Sequence, residues 1–231
     1  MSRLVIILLI VFAVVFMWKL KTLTSGKALR RQSRPLMNDQ VEALLGRLAA
    51  AAGIDRVDVR VLEQPMINGL ATPTGEIYVT EGLLRQFQSG RIGPREFTSV
   101  IAHELGHLAL GHARRRMIDI SAAQAAQVVL GGIIARFVPY VGWIVARWLT
   151  SAFIATLSRK DEFEADAYAT ALMVKAGLGA EAQASMLEKL EHLAPPGQTQ
   201  GTVSWLASHP PVAERARAIR ANASRWEGAE G

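Results

Sequence analysis

One short pattern limits most strongly what this chain can be: His103-Glu104-Leu105-Gly106-His107, which lies within the apolar residues 100–110. Such an apolar run is typical of a buried helix, where side chains four residues apart lie on the same face. The imidazoles of His103 and His107 can therefore bind one zinc ion together. Glu104 follows His103 by about 100° around the helix axis, so its carboxylate lies beside the metal and can take a proton from water. The alternative is a buried helix with two unrelated histidines.

The sequence also marks the two ends of this helix. Gly93-Pro94 predicts the first turn, and Glu96 suits the positive end of the helix dipole. The arginines at positions 114–116 are expected in the last turn, where cations meet the negative end of the dipole. The helix is therefore predicted to continue beyond residue 112.

A catalytic zinc site needs a third protein ligand, and the chain contains no cysteine, so this ligand must be a histidine or a carboxylate. On a continuous helix His112 lies about 140° from His107 and about 180° from His103, which predicts a surface or second-layer residue. Glu162 and Asp166 are four residues apart and share one face of a second helix. Glu162 can bind the metal while Asp166 accepts a hydrogen bond from a ligand imidazole. The alternative is a solvated acidic face.

Three motifs, in this order, resemble the zinc metalloendopeptidases of the HtpX and CAAX prenyl protease type. They are the pattern at residues 103–107, then Ser158-Arg159 with Glu162 and Asp166, then His209-Pro-Pro-Val-Ala-Glu-Arg215. The strand region at residues 68–83 is also similar to that family. The resemblance covers roughly residues 36–220.

This resemblance implies a gluzincin site that binds one zinc ion per chain. The metal ligands are then His103, His107 and Glu162. Glu104 is the general base, and Asp166 supports a ligand imidazole from behind.

The same resemblance implies two groups, His209 and Arg215, that stabilise the oxyanion of peptide hydrolysis. A cationic or hydrogen-bonding pair opposite zinc would neutralise the developing negative charge. On the residues alone, His209 begins a loop and Arg215 is a surface charge. The strand at residues 77–80 is either an edge that pairs with an extended peptide or a plain core strand. The residues expected to bind substrate are Asn68, Gly69, Leu70 and Ala71.

Together with the resemblance, the apolar patterns predict a mainly helical α+β domain of the zincin-like metallopeptidase type, with a small antiparallel sheet. Helices are expected at residues 38–52, 180–193 and 212–223, and strands at residues 57–62 and 77–80. The domain is expected to cover residues 36–222, with a flexible tail at residues 223–231.

A single-pass anchor, a transmembrane helix, is predicted at residues 1–20, because residues 4–18 are fifteen consecutive apolar residues. A helix of that length measures about 22 Å, and flanking basic residues extend it towards a hydrocarbon core of about 30 Å. The alternative, a cleaved signal peptide, lacks a small-x-small cleavage site. Residues 21–35 form a basic linker, so the positive-inside rule predicts a catalytic domain in the cytoplasm. We expect a bacterial-type inner membrane protein whose residues 2–34 contact lipids.

The apolar residues 121–157 lie between the two metal motifs, where the similar family carries membrane spans. Arg136 and Arg147 interrupt the apolar runs, and Pro139 and Gly142 break a helix. A central arginine costs about 2.5–3.5 kcal/mol on insertion scales, which argues against spanning. Two arrangements remain open: a transmembrane hairpin, or helices that pack on the domain or dip into the membrane interface.

These features predict a membrane-anchored, zinc-dependent metalloendopeptidase that acts on peptides or proteins. The resemblance implies misfolded or damaged membrane proteins as substrates. Although the net charge is +6, the chain has no base-stacking motif and no phosphate-binding glycine loop, so no nucleic-acid partner is expected. The alternative is a proteolytically silent, zinc-stabilised binding or assembly module at the membrane. Glu104 argues against that alternative, because structural zinc needs no base.

Overall fold

The structure, a computed structural model, describes residues 27–72, 74–136, 141–193 and 212–227. The predicted anchor at residues 1–20 and the predicted oxyanion residue His209 lie outside the described residues. Within them the chain is mainly helical and carries one small sheet, which confirms the general fold class.

The sheet has four strands in the order β1-β2-β4-β3, which are β1 (Ser33–Pro35), β2 (Val59–Leu62), β3 (Gly69–Ala71) and β4 (Ile77–Thr80). β2 and β4 are parallel, whereas β1 pairs with β2 and β3 pairs with β4 in antiparallel fashion. The sheet is therefore mixed, and the prediction of an antiparallel sheet was wrong. After β2 the chain first forms β3 at the outer edge of the sheet. It then turns at residues 72–76 and returns as β4 between β3 and β2, so β4 runs parallel to β2.

The strand at residues 77–80 lies inside the sheet. All four of its side chains are buried, and it pairs with β2 on one side and β3 on the other. Of the two interpretations that the sequence left open, the core strand is confirmed and the peptide-binding edge was wrong for this strand. The outer edge belongs to β3, which contains three of the residues expected to bind substrate.

Residues 27–31 are helical, and the helices that follow are α1 (Asp39–Ala52), α2 (Glu81–Gln88), α3 (Pro94–Ala109), α4 (His112–Ala135), α5 (Val141–Lys175), α6 (Glu181–Leu193) and α7 (Val212–Glu227). Asn38 begins α1, because its side-chain oxygen accepts a hydrogen bond from the Val41 N–H at 3.0 Å. Two expected boundaries were wrong. β1 incorporates the end of the predicted linker into the sheet, and α7 continues through residues 223–227 of the predicted tail.

α3 lies at the centre of the fold, between β3, α5 and α6. Residues 97–106 are all buried, so this helix is covered on nearly every side rather than on one stripe. Phe97 and Ile101 have no exposed surface, and they share the core with Met173 of α5 and Met186 of α6. The metal-binding pattern predicted at residues 103–107 therefore lies on a helix that is buried on nearly every side.

α3 ends earlier than the sequence predicts. It begins as expected, with the Gly93 N–H donating to the Glu96 carboxylate at 2.6 Å. It stops at Ala109, because Gly111 adopts φ 64°, a left-handed conformation that glycine accepts at little cost. The arginines at positions 114–116 consequently lie in the first turn of α4, and their assignment to the last turn of α3 was wrong.

Within the insert at residues 121–157, the described residues 121–135 belong to α4 and residues 141–157 to α5, and these two helices pack against each other. Several large apolar side chains of this pair are exposed, among them Val128, Ile144 and Trp148. Among the described residues, none of the helices combines the length and the apolar character that crossing a bilayer requires.

Candidate metal centre

Three side chains from α3 and α5 bring their donor atoms together. The Nε2 atoms of His103 and His107 are 3.1 Å apart. Glu162 places Oε2 3.4 Å from the His103 Nε2 and Oε1 3.5 Å from the His107 Nε2. A tetrahedral zinc with bonds of about 2.0–2.1 Å has donor atoms roughly 3.3 Å apart. The two imidazoles and the carboxylate therefore fit a zinc ion in both chemistry and spacing.

Close contact between α3 and α5 makes this arrangement possible. A Cβ atom built on Gly106 would lie 2.8 Å from the backbone oxygen of Ala165 and 3.0 Å from its Cα. Only a glycine lets the two backbones approach so closely. Gly106 lies between the two histidines, and Ala165 lies between Glu162 and Asp166. The contact therefore sets the separation between the two halves of the site.

The ligand atoms of His103, His107 and Glu162 are called the donor triangle below. Asp166 supports His103 from the opposite side of the imidazole ring. Its Oδ1 is 2.9 Å from the His103 Nδ1, which orients the ring so that Nε2 faces Glu162. The Gln183 side-chain amide donates to the same Oδ1 at 3.3 Å, and the Thr170 hydroxyl donates to the Asp166 backbone oxygen at 2.8 Å. Sequence reasoning missed Gln183 and Thr170, because neither belongs to a motif and only tertiary packing brings Gln183 to this helix.

Arg215, on α7, completes this buried group. Its side chain has no exposed surface, and its Nε donates to Asp166 Oδ2 at 2.6 Å while Nη2 donates to Oδ1 at 2.9 Å. Its Nη1 is 3.4 Å from Glu162 Oε2. The guanidinium therefore lies behind the ligand side chains and contacts two carboxylates. The reading of Arg215 as a surface charge was wrong, and its partner in the expected oxyanion pair, His209, lies outside the described residues.

The electrostatics of the group follow from burial and pairing. Burial alone would lower the pKa of His103, but the Asp166 and Glu162 carboxylates raise it to about 9. Burial alone would raise the pKa of Asp166, but hydrogen bonds from Arg215 and His103 hold it at about 2. For His107, burial lowers the pKa. Asp166 is thus ionised at neutral pH and can hold the Nδ1 proton of His103.

Glu104 is buried next to the donor triangle, with 3% of its surface exposed. Burial raises the pKa of its carboxyl to about 7, although the charge of His103 and a hydrogen bond with the Ala71 backbone oppose that rise. A carboxyl group in this range can accept and release a proton near neutral pH. Its surroundings are therefore those of a general base.

β3 runs beside Glu104. A Cβ atom on Gly69 would lie 3.5 Å from the Glu104 Oε1, so the strand and the carboxylate are nearly in contact. Thr80 donates its N–H to the Asn68 oxygen, and Thr72 donates to the Glu76 oxygen, so residues 68 and 72 face β4. By the alternation of an antiparallel pair, the backbone groups of Gly69 and Ala71 point away from β4. The strand thus presents an outer edge at the position of the carboxylate.

His112 is not at the surface, as only 1% of it is exposed. Its Nδ1 lies 2.7 Å from the His107 Nδ1, on the side of that ring away from the donor triangle. Of the two places that the sequence left open, the surface was wrong and the second layer fits, although the angular argument assumed a continuous helix whereas α3 ends before Gly111 and His112 begins a new one. The glycine directly before His112 was the signal that the helix would not continue.

The comparisons with known proteins agree with one another. A family model described as Peptidase family M48 matches residues 35–223. The metalloprotease LoiP of Escherichia coli is 31% identical over 168 residues, which are 71% of this chain and 62% of LoiP. The metalloprotease YcaL of the same organism is 31% identical over 183 residues, which are 76% of this chain and 67% of YcaL. The protease HtpX of Hahella chejuensis is 29% identical over 217 residues, which are 76% of this chain and 69% of that protein.

The matched region contains every described residue of the donor triangle and its supports, from His103 to Arg215. The chain spans less than two thirds of the length of LoiP, at 62%. The family model nevertheless extends over most of this sequence. The chain belongs to peptidase family M48.

Proposed function

We propose that this chain is a zinc-dependent metalloendopeptidase that hydrolyses peptide bonds in protein substrates. The observation that carries the proposal is the group of ligand atoms from His103, His107 and Glu162 next to the buried Glu104: the two Nε2 atoms are 3.1 Å apart, and each lies 3.4–3.5 Å from one of the two Glu162 oxygens. A binding module stabilised by zinc has no use for a buried carboxylate at that position. The named metalloproteases among the relatives support the same activity.

His103, His107 and Glu162 would hold a zinc ion, which would supply a Lewis acid for the scissile carbonyl and favour ionisation of water near neutral pH. Glu104 takes the proton of the attacking water and passes it to the leaving amine. Bringing a peptide to β3 excludes water from the carboxylate, which strengthens its interactions with the reacting atoms.

Asp166 and Arg215 act in this proposal by holding the ligands. The Asp166 carboxylate orients the His103 ring, and the Arg215 guanidinium neutralises Asp166 and Glu162 where no water can do so. The fully buried side chain of Arg215 and its contacts with both carboxylates support this positioning role beside the oxyanion role that the resemblance implies. The oxyanion role proposed for His209 is independent of this arrangement.

Substrates bind as an extended strand along the outer edge of β3. Gly69 and Ala71 offer backbone carbonyl oxygens on that edge, because the Gly69 N–H donates to the Asn68 side chain and the Ala71 N–H donates to Glu104, and a peptide paired with these oxygens passes Glu104. The absence of a side chain at Gly69 lets β3 pack closely against α3, because a Cβ atom there would lie 3.0 Å from Val100 Cγ1 and 3.5 Å from Glu104 Oε1. Asn68 fixes the start of the strand, because its side-chain oxygen accepts a hydrogen bond from the Gly69 N–H at 3.0 Å.

We also propose the location that the N-terminal sequence predicts: a bacterial-type inner membrane, with the domain on the cytoplasmic side and membrane proteins among its substrates. The fifteen apolar residues 4–18 and the basic residues that follow support this proposal. Alkaline carbonate should leave the full chain in the membrane pellet. Release into the supernatant would contradict the anchor.

The decisive experiment replaces Glu104 with Gln in the full chain and measures zinc content and casein hydrolysis together. The amide keeps the size of the side chain but cannot accept a proton, so we expect bound zinc to stay at one equivalent per chain. Hydrolysis should fall by at least about 100-fold, the usual contribution of a general base. Glu42→Gln is the matched control, because Glu42 is exposed on α1 and the same substitution there should change neither quantity.

Two results would contradict the proposal. Glu104→Gln could retain the hydrolysis rate of the wild type in a preparation shown to contain no other protease. Alternatively, the wild-type chain could bind one zinc and hydrolyse no substrate, which would favour the silent binding module.

A further inference from the structure

We propose that His112 is a positioning residue for the metal ligand His107 and that Glu164 in turn orients His112. The proposal starts from the contact between the two rings. The Nδ1 atoms of His107 and His112 are 2.7 Å apart, and the rings meet at 72° with centroids 4.9 Å apart. Two nitrogen atoms at this separation share one proton, so one ring donates and the other accepts.

The direction of this hydrogen bond follows from the donor triangle. His107 presents its Nε2 to His103 and Glu162, so a metal-bound His107 is neutral and carries its proton on Nδ1. Nδ1 must then donate, and the His112 Nδ1 must accept. His112 therefore carries its own proton on Nε2, which lies 3.2 Å from Glu164 Oε2. The protons are thus ordered in one direction, from His107 through His112 to Glu164.

This chain of contacts is the counterpart of the support on the other ligand. His103 is held by the Asp166 carboxylate directly, at 2.9 Å. His107 has an imidazole in the equivalent place, and the carboxylate lies one residue further away. Both histidine ligands thus have a partner on Nδ1, which fixes the ring orientation and the tautomer.

The turn between α3 and α4 brings His112 into contact with His107. α3 stops at Ala109, and the left-handed Gly111 reverses the chain so that the first residue of α4 faces the last turn of α3. Burial then removes His112 from water, with 1% exposed. A buried imidazole with two ordered partners is a constrained group, and its ring has little freedom to turn.

A second metal ion is the rival explanation of the same cluster. His112, Asp161 and Glu164 offer ligand atoms that lie within 4.8 Å of one another. However, Arg115 places Nη1 2.8 Å from Glu164 Oε2, and Arg116 places Nη2 3.4 Å from Asp161 Oδ2. Two guanidinium cations already balance the two carboxylates, so a divalent ion would meet repulsion there. The geometry favours the positioning role.

The test titrates the metal-free full chain with Zn²⁺ against a chelator of known affinity. His112→Leu keeps the bulk of the side chain but removes the acceptor, and we expect zinc to bind about 10–100-fold more weakly. His112→Asn offers an amide oxygen to the His107 Nδ1, so its affinity should stay within about threefold of the wild type. His192→Leu is the matched control, because His192 is exposed on α6 and its loss should change nothing.

A second pair of variants tests Glu164, the last residue in the series of hydrogen bonds from His107 through His112. This test does not depend on the folding of His112→Leu. Glu164 is partly exposed, so Glu164→Ala should fold, and we expect about three- to tenfold weaker zinc binding. Lys160→Ala removes a neighbour that contacts the other oxygen of Glu164 at 3.6 Å, and it should leave the affinity unchanged. Nitrogen NMR of labelled histidines in the zinc-loaded wild type should find His112 with its proton on Nε2.

Unchanged zinc affinity in both His112→Leu and Glu164→Ala would overturn the proposal, as would His112→Asn binding no better than His112→Leu. A second equivalent of zinc that His112→Leu abolishes would assign the cluster to a second metal ion instead. The inference rests on the metal site of the proposed function but not on hydrolysis. A wild type that binds no zinc would therefore sink both, whereas zinc binding without hydrolysis would contradict only the peptidase activity.

Discussion

The contact at Gly106 gives the sharpest test of how the site is assembled. Gly106→Ala places a methyl group 2.8 Å from the Ala165 oxygen and 3.0 Å from the Ala165 Cα, both backbone atoms that cannot rotate away. Ordinary contacts between carbon atoms lie at roughly 3.5–4.0 Å, so α3 and α5 must separate by about half an ångström. Because the histidines lie on α3 and Glu162 lies on α5, that separation stretches the donor triangle.

Two opposing effects set the magnitude. Overpacking in a dense core costs about 1–3 kcal/mol, whereas alanine in the interior of a helix is favoured over glycine by about 0.5–1 kcal/mol. The net expectation is a loss of roughly 0–2.5 kcal/mol in the free energy of unfolding of the metal-free chain. Zinc tolerates ligand displacements of only about 0.2 Å, so its affinity should fall by at least about tenfold.

Gly46→Ala is the control for helix propensity alone. Gly46 lies within α1, and a Cβ atom there would meet no other atom within 4 Å. It should raise the free energy of unfolding by about 0.5–1 kcal/mol and leave zinc binding unchanged. Urea unfolding in the presence of chelator and zinc competition titrations measure the two quantities. If Gly106→Ala matched the Gly46 control in both, the inferred role of the backbone contact would be refuted.

Two further predictions concern the buried acid and the substrate edge. The folded-state pKa of Asp166 is about 2, below its ordinary value of 3.8, so its ionised form stabilises the fold above pH 4. That contribution to the free energy of unfolding, roughly 2 kcal/mol, should disappear as the pH falls towards 2. Carbon NMR of the metal-free chain should find the Asp166 carboxylate still ionised at about pH 3. A titration midpoint near pH 4 would contradict the pairing with Arg215. Gly69→Val places a branched side chain against Glu104, and we expect kcat/KM to fall by about tenfold or more while bound zinc is unchanged. An unaltered kcat/KM would argue against a substrate strand on β3.

Local chemistry accounts for the parts of the structure that the sequence predicts well. The Asn38 cap and the Gly93-Pro94 start place α1 and α3 within a residue, because a helix begins where a side chain or a proline satisfies its first turn. The spacing of His103 and His107 sets their common face in the same way. The spacing of Glu162 and Asp166 made Glu162 the candidate third ligand, and the family resemblance supported its partnership with these histidines across more than fifty residues.

The remaining features depend on contacts that no local pattern encodes. Whether β4 is an edge or an interior strand depends on where β3 docks, and three residues of β3 carry no signal for that choice. The position of His112 depends on Gly111, which ends α3, because its left-handed backbone changes the direction of the chain before α4 begins. The burial of Arg215 could not be read from a sequence in which most arginines are exposed.

The pairing of Arg215 with Asp166 also bears on how the molecule is made. The two residues are 49 positions apart, and Arg215 is 112 positions from His103. Until α7 has been synthesised and docked, two buried carboxylates would lie next to each other without their cation, which is a costly arrangement. The group that contains Glu162 and Asp166 therefore reaches its final form only once α7 has docked. Metal loading of the nascent protein should for that reason follow docking of the C-terminal helix, and a chain released early would stay inert.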